Sequence, residues 1–281
     1  MIRSKKSVGL LAAAALGVWG AHTASADVIT QWAFNAIVAS PDNSPAPTTG
    51  SGTAVSLGMT NGYTYAGGEG PGSTTSDDIT QPNTPATTEY AWRIRGNSNK
   101  KNAGAGLANG WNNSAPNYTQ GAEFEVNTAG YEDLGLSFDW YCTTQGVANM
   151  QIQYTLDASD PSPIWVDVGS DYVFAPANNF YGATTPNISV SLPSSVLGDS
   201  DFAVQMVSVK PVSTDSDYSF TNGDGNYASA AGGDYNNSSG NWSFNFVTVT
   251  GTAVPEPASV AVLGLSGLAL LGRRRSKVKS L

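Results

Sequence analysis

Glu123 and Glu125 stand two residues apart in the run GAEFEV, and Asp139 lies in LSFDWY. Paired carboxylates are the equipment of glycoside hydrolysis, which needs two acids about 5 to 10 Å apart across a cleft, one of them with a raised pKa. The strand repeat places Glu123 and Glu125 roughly 7 Å apart on one polar face. Acids on a solvated strand face are also the ordinary state of an acidic protein, and that reading is preferred. The chain is therefore expected not to be an enzyme.

Oxygen ligands crowd a second stretch, where Asp215, Asp217, Asn222, Asp224 and Asn226 lie among glycines. Calcium takes such ligands from flexible loops. Asn222, Asp224 and Asn226 imitate the start of an EF-hand, but Tyr227 stands where its glycine belongs and Gly233 where its glutamate belongs. The loop is not an EF-hand, and no cofactor is expected beyond a structural calcium.

Aromatic side chains offer a third chemistry, stacking against pyranose rings. Trp111, Tyr118, Tyr141, Tyr172, Tyr181, Tyr218, Tyr227 and Tyr235 fall in loops or on expected polar faces, whereas Trp32, Trp92, Trp140 and Trp242 read as core. The single histidine, His22, precedes Asp27, so the region after it has no Ser-His-Asp, Cys-His or histidine-metal chemistry. Cys142, the one cysteine, has no disulfide partner and sits on an apolar strand face as an inert thiol.

The elements that must position these residues read as strands. Leu134, Leu136, Phe138, Trp140 and Cys142 alternate with polar residues or glycine, and Met150, Ile152, Tyr154 and Leu156 alternate with Gln151, Gln153 and Thr155. Further strands are expected at 27–35, with Val28, Trp32 and Phe34 inward, and at 90–95, 123–126, 164–168, 188–192, 202–209 and 242–250. One-faced strands of this length imply two sheets packed face to face, an all-β fold of one jelly-roll-type sandwich of the lectin or laminin-G kind. The first and last strands, each with a Trp-x-Phe pattern (Trp32, Phe34; Trp242, Phe244), are expected to pair.

The two ends differ from this middle. Residues 1–26 read as a signal peptide: Arg3, Lys5 and Lys6, an apolar run from Val8 to Trp19, and small residues Ala24 and Ala26 placing cleavage before Asp27. After the domain at 27–251 come a linker at 252–257 with Val254, Pro255, Glu256 and Pro257, an apolar helix at 258–272, and a basic tail at 273–281 led by Arg273, Arg274 and Arg275. The apolar run spans about 22 Å as a helix, short of the ~30 Å hydrocarbon core, so it suits a temporary anchor with its basic end held in the cytoplasm. All 22 acidic residues lie from Asp27 to Glu256, against five basic ones, Arg93, Arg95, Lys100, Lys101 and Lys210, for a net charge of −17 over that span. That charge excludes a nucleic-acid partner.

Pro-Glu-Pro at 255–257, a short apolar helix and a terminal arginine cluster resemble the PEP-CTERM sorting signal. The resemblance implies export, signal peptidase and exosortase as partners, and contact with the membrane through the C-terminal helix before processing. TQWAFN, AWRIRGN, TQGAEFEVNTAGY, LSFDWY and MQIQYTLD are similar to exported PEP-CTERM proteins of planctomycete-like bacteria. That likeness implies a jelly-roll sandwich displayed in the envelope, at the cell surface or outside the cell, and it implies no chemistry. Together these readings give a structural or adhesive protein of the cell surface or biofilm matrix. The alternatives are a carbohydrate-binding module for exopolysaccharide and a glycoside hydrolase.

Overall fold

The alternation in LGLSFDWYC is realised as a strand in which Leu134, Leu136, Phe138, Trp140 and Cys142 are all buried. The computed structural model describes residues 25–34, 44–58, 61–65, 91–95, 111, 115–144, 146–174, 179–181, 188–211, 227–232 and 240–254. Strands β1 (Asp27–Trp32), β2 (Thr53–Leu57), β3 (Asn61–Tyr65) and β4 (Ala91–Arg95) lead to β5 (Gly121–Glu125), β6 (Tyr131–Cys142) and β7 (Asn149–Thr155). Short strands β8 (Val166–Asp167), β9 (Tyr172–Val173) and β10 (Asn179–Phe180) follow, then β11 (Ile188–Ser191), β12 (Ala203–Ser208) and β13 (Trp242–Ala253). Among the described residues there is no helix.

Pairing follows a nested plan. β1 pairs with β13, β5 with β12, β6 with β11 and β7 with β8, all antiparallel. Contacts of β13 with β6, and of β12 with β7, then gather these pairs into two sheets, β1–β13–β6–β11 and β5–β12–β7–β8. A long hairpin rolled up in this way is a jelly roll. β2 extends the second sheet beside β5, and the β3–β4 hairpin extends the first beside β13.

The expected pairing of first and last strands is present, in a register of its own. Trp32 faces Val247, while Trp242 and Phe244 face Ile94 and Trp92 of β4. Twelve residues let β13 serve both neighbours in succession. Between the sheets lies one aromatic core. Trp32 of β1 and Trp92 of β4 meet Phe124 of β5 edge-on, with ring centroids 4.9 and 5.8 Å apart. Trp140 and Trp242 pack edge to face at 5.2 Å. Such pairs add about 0.5–1.5 kcal/mol each beyond the area they bury.

Several expectations change here. Val28 points outward, 48% exposed, because the register slips between Val28 and Thr30. A bulge shifts the alternation by one residue, and Ile29 packs against the core instead. Trp111 and Tyr227, expected among exposed aromatics, are core residues at 1% and 0% exposure. Asp139, expected on a solvated face, is fully buried opposite Asn245. Of the strand expected at 164–168 only Val166 and Asp167 pair, since Pro161 and Pro163 just before it have no amide hydrogen to donate. Leu156 falls beyond the end of β7 and is 40% exposed.

At the other end of the domain β13 stays paired through Ala253, opposite Tyr131, and the Val254 amide donates to Gly130 O at 2.8 Å. The strand therefore includes the first two residues of the expected linker. Gly121 holds the second sheet tight. A Cβ there would lie 2.0 Å from Met206 O of β12, at a φ of 157° that side chains avoid.

Candidate functional site

One transverse row crosses the outer face of the second sheet. Register places Val55, Glu123, Gln205, Gln153 and Asp167 side by side on β2, β5, β12, β7 and β8. Directly opposed side chains in such a row lie within mutual reach. Gln205 Nε2 donates to Gln153 Oε1 at 2.6 Å, and Gln153 Nε2 donates to Asp167 Oδ1 at 2.7 Å. The polarity of this chain is set at its end, because an ionised carboxylate only accepts and so dictates which way each amide faces. Both glutamines are more than nine-tenths buried, although they lie on the face turned away from the core.

Over this row lies a groove of about 600 Å³, lined by Tyr118, Gln153, Trp165, Val166, Asp167 and Gln205. Tyr118 comes from the loop before β5, at a φ of 67°. That loop is fastened at several points. The Tyr118 amide donates to Ser208 O at 2.9 Å, Asn117 Oδ1 accepts the Lys210 amide at 2.9 Å, and the Tyr227 hydroxyl donates to Pro116 O at 2.8 Å. Tyr227 thus supports the groove wall from the core. Trp165 follows Pro163 immediately before β8 and is half-buried.

The acids around the row differ in state. Burial, reinforced by the nearby Glu125 carboxylate, pushes Glu123 up from 4.5 to about 7. Glu125 is exposed and accepts a hydrogen bond from Thr53 Oγ1 at 2.7 Å. Burial, with the charges of Asp167 and Asp171, raises the Tyr118 hydroxyl above its ordinary value. Asp171 Oδ2 accepts from Asn149 Nδ2 at 3.0 Å. Glu123 and Asp167 stand three strands apart, about 14 Å by sheet spacing, wider than the separation of hydrolytic carboxyl pairs. Glu125 shares Glu123's strand, and Asp139 lies in the other sheet. Aromatic walls over buried amides are instead suited to holding a polar, ring-shaped ligand.

Only part of the expected aromatic set enters this groove. Tyr118 lines it; Trp111 packs 4.4 Å from Trp242, and Tyr172 and Tyr181 pack together at 5.5 Å against the core. Tyr141 lies against Ala91. Cys142 is buried, its Sγ–H donating to Val147 O at 3.4 Å, and burial holds its thiol far above the usual range. β1 begins at Asp27, directly after Ala26. Ala24, Tyr218, Tyr235, the calcium candidates Asp215, Asp217, Asn222, Asp224 and Asn226, and the tail residues Pro255, Glu256, Pro257, Arg273, Arg274 and Arg275 lie outside the described residues. Among the described residues no three His, Cys, Asp or Glu side chains are grouped to hold a metal.

Trp165, Gln205 and Asp167 were not legible as site residues, and Gln153 was legible only as the polar half of an alternation. The available signal was the recurrence of glutamine on strand faces at Gln151, Gln153 and Gln205.

Residues 253–276 match the family model described as the PEP-CTERM protein-sorting motif. The chain carries a PEP-CTERM sorting signal. That signal implies an exported protein, destined for the cell envelope and processed by an exosortase, and it starts on the last paired residue of β13. No curated protein matches the chain. Among solved structures it is similar to the CBM22-1–GH10 modules of Clostridium thermocellum endo-1,4-β-D-xylanase 10B complexed with xylohexaose. The identity is 11% and the TM-score 0.36, over 80% of this chain and 28% of that one. A likeness of that size carries no argument about ligand or activity.

Proposed function

We propose that the exported sandwich is a non-catalytic adhesive module of the cell surface or matrix, and that it adheres by holding extracellular polysaccharide in the groove on its second sheet. One observation supports this above the others: Tyr118 and Trp165 flank a row of buried, hydrogen-bonded amides. Aromatic faces take the apolar faces of sugar rings, and amide and carboxylate groups take their hydroxyls. The reading needs no cofactor. The sorting signal supplies the location, and exosortase processing then leaves the domain outside the membrane.

The test is retardation of the full-length chain, in mild detergent, by polysaccharides cast into native gels, with Trp165→Ala and Tyr118→Ala alongside. Retardation by at least one polysaccharide, lost in both variants, supports the reading. An unretarded wild type, or variants that migrate like wild type, would sink it. A hydrolase has the raised pKa of Glu123 in its favour, and release of reducing ends by the wild type would establish it instead.

A further inference from the structure

The hydrogen bonds under the groove run in one direction. Asp167 accepts from Gln153, and Gln153 accepts from Gln205, so the donor capacity of the row runs toward β8. The opposite end is left with acceptors. Among the described residues Gln205 Oε1 receives no hydrogen bond, although its side chain is 4% exposed and lines the groove. Its register partner Glu123 is a half-buried carboxyl that likewise accepts none there. Below about pH 7 the proton held by Glu123 is the donor on this side of the row, and a ligand that displaces it must bring a donor of its own.

The charges nearby specify what kind. Glu125 on the same strand, Asp167 on β8, and Asp171 beside the neutral Tyr118 hydroxyl surround the row, while β2 and β12 bring only Val55 and Gln205 opposite Glu123. No described cation answers them. Arg93 and Arg95 are on β4 of the other sheet, and Lys210 Nζ lies 5.5 Å from the Tyr227 ring. A hydroxyl brings one donor hydrogen and no charge; an ammonium brings three donors and the missing charge.

We propose that the groove takes a hexosamine polysaccharide bearing free amines, with a protonated amine seated between Glu123 and Gln205. The inference rests on the groove being the glycan site. The amine restores Glu123 to its ionised form, so binding near pH 6 releases a proton from it.

Calorimetry of the full-length chain at pH 6, in two buffers of different ionisation enthalpy, tests this with three oligosaccharides: a glucosamine hexamer, an N-acetylglucosamine hexamer and cellohexaose. The glucosamine hexamer is expected to bind about tenfold or more tighter than the other two, with release approaching about one proton. Glu123→Gln removes both the preference and the proton release. A glucosamine hexamer that binds no tighter than the two neutral hexamers overturns the amine preference and leaves the groove as a glycan site. A preference that survives Glu123→Gln also overturns the assignment, because the general charge of the domain would then be its source. Binding of none of the three, together with no retardation by any polysaccharide in the gel assay, removes the glycan site itself.

Discussion

Gln205 and Gln153 meet across β12 and β7 at 2.6 Å, both more than nine-tenths buried on a sheet face that looks away from the core. They are 52 residues apart in the chain. A buried amide left without a partner costs stability, so this contact and the Asp167 carboxylate that orients it form one unit. The unit gives the groove a floor with a definite hydrogen-bond polarity.

Replacing Gln153 with leucine keeps the volume and removes both bonds. Gln205 Nε2 and Asp167 Oδ1 then lose their partner, and stability falls by about 1–2 kcal/mol, read as a lower urea midpoint at unchanged slope. Affinity for polysaccharide falls with it, by about tenfold.

Glu123 makes stability depend on pH. Its folded value of about 7 lies above the ordinary 4.5, so the folded chain holds this proton more tightly than the unfolded chain does. Stability therefore falls as pH rises from about 4.5 to about 7 and is level in this respect above that window. Glu123→Gln removes that slope and raises the unfolding free energy at pH 8 by about 1 kcal/mol, read as a higher urea midpoint, a figure reduced for the water that reaches the carboxyl.

Trp165→Ala separates binding from folding. The ring is half-buried on the groove wall, so its loss weakens polysaccharide binding about tenfold while the melting temperature moves by only a few degrees.

Trp111→Ala makes the opposite change. Its ring, 1% exposed and 4.4 Å from Trp242, leaves a large cavity, and a loss of about 3–5 kcal/mol is expected in chemical denaturation. At temperatures where the variant stays folded, its glycan affinity equals that of wild type.

Mass spectrometry of protein from its native host is expected to find no intact peptide spanning Arg273, Arg274 and Arg275. Changing Pro255 and Pro257 to alanine retains that peptide and leaves the protein with the membrane fraction.

Local pattern was enough to reveal the sorting signal and the period-two strands, because both are written in adjacent residues. Leu134 to Cys142 alternate, and an apolar alternation can be buried only one way. The net charge of −17 and the absence of histidine after Asp27 likewise needed no fold. Tertiary structure decided what pattern leaves degenerate. A bulge turned Val28 outward, and packing drew Trp111 and Tyr227 from loops into the core. The same packing left Tyr118 and Trp165 on the groove. Above all, only register between distant strands brings Glu123, Gln205, Gln153 and Asp167 into one line. Polar residues on a strand face look alike in sequence; whether they meet water or one another depends on which strands lie alongside.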